Sequence, residues 1–415
     1  MGGIGEREMK KIHYSWLVCV SCTVLLVCTM GFCNNVFPVY LPYLEREYLT
    51  GAQGSGLISI RCLFGIAGML FVEKFYRHVS LRAGLAATCW MTAAAFGIYA
   101  LADTPWMFQA GAAVSGIGYG LGSMIPVAIL MRNWFYERGS TAIGLCSAGS
   151  GISTILFPPV ITRLIETSGI AAGFWLQSAI SAAAGVLLFV VVRDTPAEKG
   201  ILPYGQQRPQ AAAPESGVCR KECAAAGAFA AQCGCLLVGA VAATATGHFS
   251  AHFSVQGYSS VSVSLGISTF GAFLTVSKIL CGTQFDQHGG EKTGMVFLLA
   301  ALSGCTLSCF ADGTSLGVMY GSLVLMGIGF SAATVGVPVW AEEFSSPGTY
   351  RGILRRFQVT YAVGSTLVSS LPGIIYDCTK SYRGAYIIMS GFLLSTILLL
   401  KIAYCLRNRQ RGTNG

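Results

Sequence analysis

The chain has 415 residues, of which 53% are hydrophobic and only 11% charged, with 52 glycines and a formal net charge of +9. Soluble domains carry about 25% charged residues, so an ordinary soluble enzyme, a disordered chain and a secreted disulfide scaffold are excluded. The basic residues are spread between apolar stretches and not gathered on one soluble face, so their excess speaks of membrane topology and not of nucleic acid.

Twelve apolar stretches follow one another: 14–43, 53–75, 81–102, 106–135, 141–165, 172–192, 224–255, 261–285, 293–311, 316–340, 353–376 and 385–406. Each approaches or exceeds the roughly 20 residues that a helix needs to cross a bilayer. They are continuously apolar and not alternating, which favours helices over a membrane β-barrel. The expected fold is an all-α membrane protein of twelve transmembrane helices in two six-helix repeats. Its divisions are an N-terminal bundle (1–192), a linker (193–222) and a C-terminal bundle (223–415). The linker is polar and holds Pro196, Pro203, Pro209, Pro214 and three consecutive alanines, a composition that ends helices.

The first stretch is too long for the core of a cleaved signal. Asn34 and Asn35 interrupt it before Phe37-Pro38. Buried amides need partners, so both are candidates for substrate hydrogen bonding or helix contact. The 16 cysteines lie mostly inside apolar stretches, Cys19, Cys22 and Cys146 among them, where cysteine acts as a small hydrophobe. The Cys19–Cys22 spacing lacks the βαβ context of a redox motif. The glycines Gly116, Gly118, Gly120 and Gly122 read as helix-packing positions and not as a nucleotide loop, because no soluble strand precedes them. Tyr119 between them, and Gln358 and Tyr361 in the eleventh stretch, are weaker polar candidates. His248 and His252 stand one helical turn apart. That spacing can ligate zinc, but no glutamate follows His248 and no third ligand is evident. Substrate contact or proton carriage remains open for the pair, beside a plain packing role. No metal, cofactor or catalytic set is expected, and ATP drive is not, since no phosphate-binding loop is present.

The halves repeat. Gly116-Ile117-Gly118-Tyr119 recurs as Gly327-Ile328-Gly329-Phe330, an offset of 211 residues. Counting Lys and Arg with both termini in the cytoplasm puts 21 of 27 in inner segments and 4 in outer loops, which fixes the orientation by the positive-inside rule. The two left over, Arg61 and Lys278, fall within stretches. A cation at mid-membrane costs roughly 2.5–3.5 kcal/mol by insertion scales. No carboxylate lies at that depth. All 18 acids sit in tails, loops or stretch ends, with Glu342 and Glu343 the nearest. Two buried cations without a protein counter-ion point to an anionic substrate in a positively charged cavity.

These residues resemble the major facilitator superfamily. Gly282, Asp286 and Gly289 are similar to its loop motif after the second helix of each half. The resemblance implies that the carboxylate latches onto neighbouring helix ends. Glu73-Lys74 stand in the corresponding loop of the first half, at a different spacing from their glycine. A narrower resemblance is to the monocarboxylate-transporter and oxalate/formate-antiporter group. It rests on Asn133 to Gly144 (including Arg138) with Ala148 to Gly151, on Arg193-Asp194-Thr195-Pro196 with Gly200 to Gly205, and on Gly373 to Tyr386. That group carries a cation four residues before the loop glycine, which implies Lys278 as the carboxylate-binding cation. The chain has Leu274 where the monocarboxylate branch often has Asp. It has no Lys near Tyr361-Ala362-Val363-Gly364, where the oxalate exchanger is implied to use one. We expect Arg61 to supply the second charge.

The expected protein is a monomeric, multi-pass plasma-membrane carrier, of a bacterial inner membrane, for a monocarboxylate or small dicarboxylate. It would work by alternating access with anion exchange or substrate-loaded movement. Substrate contacts are expected at Lys278, Arg61, His248, His252, Asn34, Asn35, Tyr119, Gln358 and Tyr361. Gating is expected at Gly282, Asp286, Gly289, Glu73, Lys74 and Arg138. The alternatives are efflux of neutral or cationic amphiphiles and a non-transporting anion receptor.

Overall fold

The computed structural model describes residues 13–206, 221–346 and 348–412. Apolar runs in lipid must satisfy their backbone internally, and nearly every described residue outside short connections is helical. Among the described residues, eleven helices are long and apolar enough to cross a membrane: α1 Tyr14–Val39, α2 Gly56–His78, α3 Leu81–Ala100, α4 Pro105–Trp134, α5 Gly139–Ser168, α6 Ile170–Val191, α7 Ala226–Val255, α8 Val261–Ser308, α9 Leu316–Glu343, α10 Tyr350–Thr379 and α11 Arg383–Asn408.

The eighth and ninth apolar stretches are thus fused into one helical run of 48 residues. At 1.5 Å per residue it would be roughly 70 Å long, twice what a bilayer core of about 30 Å holds. Gly289, at φ 79° and ψ 172°, breaks it. Only a residue without a Cβ adopts that backbone cheaply, so a glycine corner replaces the expected loop.

Other breaks follow local chemistry. Residues Val27–Val36 of α1 are π-helical and run into a 3-10 turn at Phe37–Val39, the segment that holds Asn34, Asn35 and Pro38. Helix α4 parts into Pro105–Leu121 and Met124–Trp134 at Gly122-Ser123, where the Ser123 hydroxyl accepts from Ile125 N.

Helices α1–α6 pack on one another, as do α7–α11, and the two groups meet chiefly where α5 lies on α8 and α10 on α2. The sequence repeat is also a packing repeat. A Cβ on Gly116 would strike the Arg61 carbonyl of α2, and one on Gly118 would meet Thr88 and Thr92 of α3. A Cβ on Gly327 would meet the Phe270 carbonyl in the first arm of α8, and one on Gly329 would strike Ala301 in its second arm. In each group a Gly-Ile-Gly turn therefore seats one helix against two neighbours.

The opening of the 193–222 segment is strapped to the first group. The Asp194 carboxylate accepts from the backbone N–H of Leu81 and Arg82 at 2.9 and 2.8 Å, capping α3. Trp134 Nε1 donates to the Arg193 carbonyl and Asn133 Nδ2 to that of Asp194. Pro209, Pro214 and the alanine run lie outside the described residues, as do the N-terminal Arg7, Lys10 and Lys11.

Candidate functional site

Lys278 lies in the first arm of α8, where that helix meets α5. The line of contact is built from small residues. On α5, Gly144 faces the Lys278 carbonyl, and Gly151 faces Thr275. On α8, Gly282 faces the Ser140 carbonyl. No side chain fits between the backbones there, so the two helices approach closely. Lys278 is 3% exposed. Its ammonium donates to Ser150 Oγ at 2.9 Å and to the Ser147 carbonyl at 3.3 Å, both on α5. An ammonium has three N–H groups, and the partners found for two of them are neutral. Ser150 is a junction of three helices. Its carbonyl also accepts from Asn35 Nδ2 of α1 at 2.9 Å, while that amide donates in addition to Thr154 Oγ1 at 2.9 Å.

Arg61 stands on the inner face of α2 and is 4% exposed. Its guanidinium carbon lies 5.3 Å from the centre of the Phe37 ring. Nε and Nη1 are buried without a hydrogen-bond partner. A cation over a ring gains about 0.5–2 kcal/mol, whereas burying an ion costs several kcal/mol, so the ring does not offset the burial. Cys33, Tyr99 and Tyr119 are within electrostatic reach of this charge. Tyr119 packs on Gly65, one turn along α2 from Arg61, and Asn34 borders its hydroxyl. Tyr361 of α10 neighbours Tyr119 from the other group, and Gln358 is buried on the preceding turn of α10. The adjacent Asn34 and Asn35 therefore serve two different cation surroundings, an outcome that the wide π-helical turn permits.

The histidines are placed elsewhere. His248 Nδ1 bonds the Thr244 carbonyl of its own helix at 3.0 Å. His252 is fully buried. Its Nε2 bonds the Ser308 carbonyl at 3.1 Å, and its ring lies 4.3 Å from that of Tyr386. Both imidazoles are engaged within the second group, and the structure does not bring them to Arg61 or Lys278.

A second cluster lies at the end of the bundle where the first and last described residues sit. The Asp286 carboxylate accepts from Ser140 N at 2.9 Å, from Thr141 N at 2.7 Å and from Thr141 Oγ1 at 2.5 Å. It thereby caps the N-terminus of α5 across the two groups, where unpaired N–H groups and the helix dipole favour an anion. Arg138, at φ 62°, forms the turn just before that N-terminus, and its side chain is exposed. Glu73 pairs with Arg355 of α10 at 2.9 Å and with Arg77 at 3.6 Å, while Lys74 is exposed beside it. Arg132 pairs with Glu342 at 3.5 Å and lies 4.4 Å over the Tyr350 ring. Glu343 is held within its own group by Gly290 N, Tyr404 and Arg407.

The model of the Major Facilitator Superfamily matches residues 23–352. The chain belongs to that superfamily. It is similar to monocarboxylate transporter 13 of Rattus norvegicus, with 24% identity over 92% of this chain and 87% of the relative. It is also similar to the probable transporter MCH2 of Saccharomyces cerevisiae, with 25% identity over 44% of this chain and 39% of that one. The Fujikurins efflux protein of Gibberella fujikuroi is 26% identical over 37% of this chain and 34% of its own length. Among solved structures, the E. coli fucose:proton symporter FucP aligns over 94% of this chain and 99% of its own, with a TM-score of 0.67 at 15% identity. The protein is a multi-pass membrane transporter and not an enzyme.

For a major facilitator, the two clusters divide naturally into a polar middle and a contact zone at one end. Sequence reasoning missed Ser147 and Ser150 in the first, and Arg132 and Arg355 in the second. The serines carry no signal, being ordinary in membrane helices. Arg355 had one, as part of the basic group that follows the tenth stretch.

Proposed function

We propose that this transporter carries small organic anions, monocarboxylates or small dicarboxylates, between two six-helix domains, 1–192 and 223–415, joined by the 193–222 linker. The observation that carries the reading is the pair of buried cations, Arg61 and Lys278, whose found partners include no carboxylate. Such charges are stable where an anion visits, because desolvated charges need a counter-charge. The names of the relatives among the monocarboxylate transporters support the substrate class.

In this reading the Gly289 corner separates two crossings, which makes twelve, and the excess of Lys and Arg in alternate connections supports cytoplasmic termini. The Asp286 cap and the Glu73–Arg355 and Arg132–Glu342 pairs then close the cytoplasmic side, so the conformation faces outward. An empty, positively charged site resists reorienting through a low-dielectric barrier, which favours exchange of one anion for another or movement of the loaded carrier. The protein works as a monomer in the inner membrane, without metal or cofactor.

Thermal unfolding of the purified protein against a panel of carboxylates tests this. A ligand present at 100 times its Kd stabilises the folded state by about 2.7 kcal/mol, so a true substrate raises the melting temperature. If neutral or cationic amphiphiles raise it and no carboxylate does, the anion reading fails and the efflux alternative takes its place.

A further inference from the structure

Lys278 and Arg61 are not equivalent in this conformation, and the difference separates their roles. The inference rests on the anion-carrier reading above. Lys278 is occupied: its ammonium bonds two oxygens of α5, and it belongs to α8, so it joins the two groups of helices. Arg61 is not: Nε and Nη1 are buried with no partner, although the residue is only 4% exposed. A guanidinium stays charged at any pH a cell meets, so Arg61 cannot shed its charge to relieve the burial. Its surroundings are mostly apolar, the Phe37 ring at 5.3 Å being one wall. Tyr119, within electrostatic reach of it, offers only an uncharged hydroxyl.

We infer that Arg61, ahead of Lys278, receives the substrate carboxylate in the outward-facing state. Of the two mid-membrane cations among the described residues, Arg61 alone has buried N–H groups without a partner, so it is the one poised to meet an anion. Phe37 and Tyr119 supply surface for the rest of the molecule. Lys278 then acts as a positioning residue. By holding α8 on Ser147 and Ser150 it governs how the two groups move.

The test is equilibrium binding to the full-length protein in lipid nanodiscs. The probes are benzoate and butanoate, their primary amides, and the dicarboxylates oxalate and succinate. Benzoate or butanoate should bind at least tenfold tighter than the amides. Arg61→Gln should weaken that binding at least tenfold, and Arg61→Lys should recover part of it. Lys278→Gln should weaken binding less than Arg61→Gln does, while slowing exchange in proteoliposomes. Size-exclusion profiles and melting temperatures establish that each variant is folded. Should Arg61→Gln not fold, protection of Arg61 from phenylglyoxal by benzoate in the wild type replaces it, and unprotected modification counts against the inference. If Lys278→Gln abolishes binding and Arg61→Gln does not, the assignment is overturned while the anion carrier stands. If no carboxylate binds and a cationic amphiphile does, both readings fall.

Discussion

The two mid-membrane cations were legible in the sequence because a charge inside an apolar run has few explanations. Their surroundings were not legible. Ser150 receives Lys278 on its hydroxyl and Asn35 on its carbonyl, yet a serine among alanines and glycines is unremarkable in a membrane helix. The same holds for Asn34 and Asn35: their place in an apolar run pointed to buried amides, whereas Asn34 is half-buried and Asn35 exposed, and it gave no hint of the different partners that the π-helical turn assigns them. His248 and His252 show the opposite case, where a suggestive spacing resolves into two separate carbonyl contacts. A prediction follows from the Ser150 junction. Ser150→Ala removes the closer acceptor of a buried ammonium, and hydrogen bonds to charged groups contribute about 1.5–3 kcal/mol. Thermal unfolding of the ligand-free protein should show a loss of that order. An unchanged melting temperature would mean that water replaces the hydroxyl and that the contact holds nothing together.

Among the helices, two different devices hold the termini end closed, and physical chemistry ranks them. The Asp286 carboxylate takes two backbone N–H groups and a hydroxyl at the start of α5. Caps of this kind contribute about 0.5–2 kcal/mol, and the helix dipole adds to them. The Glu73–Arg355 pair has both side chains about a third exposed, and such pairs contribute 0.2–1 kcal/mol at most, screened further by salt. Asp286→Asn should therefore shift the carrier away from the closed end more than Glu73→Gln does, and the effect of Glu73→Gln alone should fade in high salt. Distance measurements between spin labels on α5 and α8 report the shift. An equal effect of both substitutions, or a larger one for Glu73→Gln, would refute the ranking. The Asp286 motif was visible in the sequence because its glycines frame it. Its partner on α5 was not, since a backbone N-terminus has no side-chain signature. The fused α8 escaped for a related reason. Charged residues after Phe285 looked like a loop, whereas the chain stays helical on both sides of a single glycine with positive φ.

For the molecule as a whole, hydrophobic length and repetition were sufficient to give the fold. Apolar stretches longer than a bilayer is thick must become helices, and the Gly-Ile-Gly pair recurring 211 residues later occupies equivalent packing positions in both groups. The superfamily match over residues 23–352 and the alignment with FucP agree with that architecture. Function was legible only as charge: cations in the middle, acids at the ends. What sequence could not supply is which cation is engaged and which is free, because that depends on α5 and α8 meeting in three dimensions.

Counterflow in proteoliposomes tests the anion-carrier proposal most directly. Vesicles holding the purified protein are loaded with unlabelled benzoate or butanoate and diluted into a trace of the labelled acid. An exchanger of monocarboxylates accumulates label transiently inside, with no ion gradient imposed, and the overshoot disappears in Arg61→Gln and when the lumen holds only the amide. Label that never exceeds equilibration under any carboxylate, while a cationic amphiphile does overshoot, would contradict the proposal.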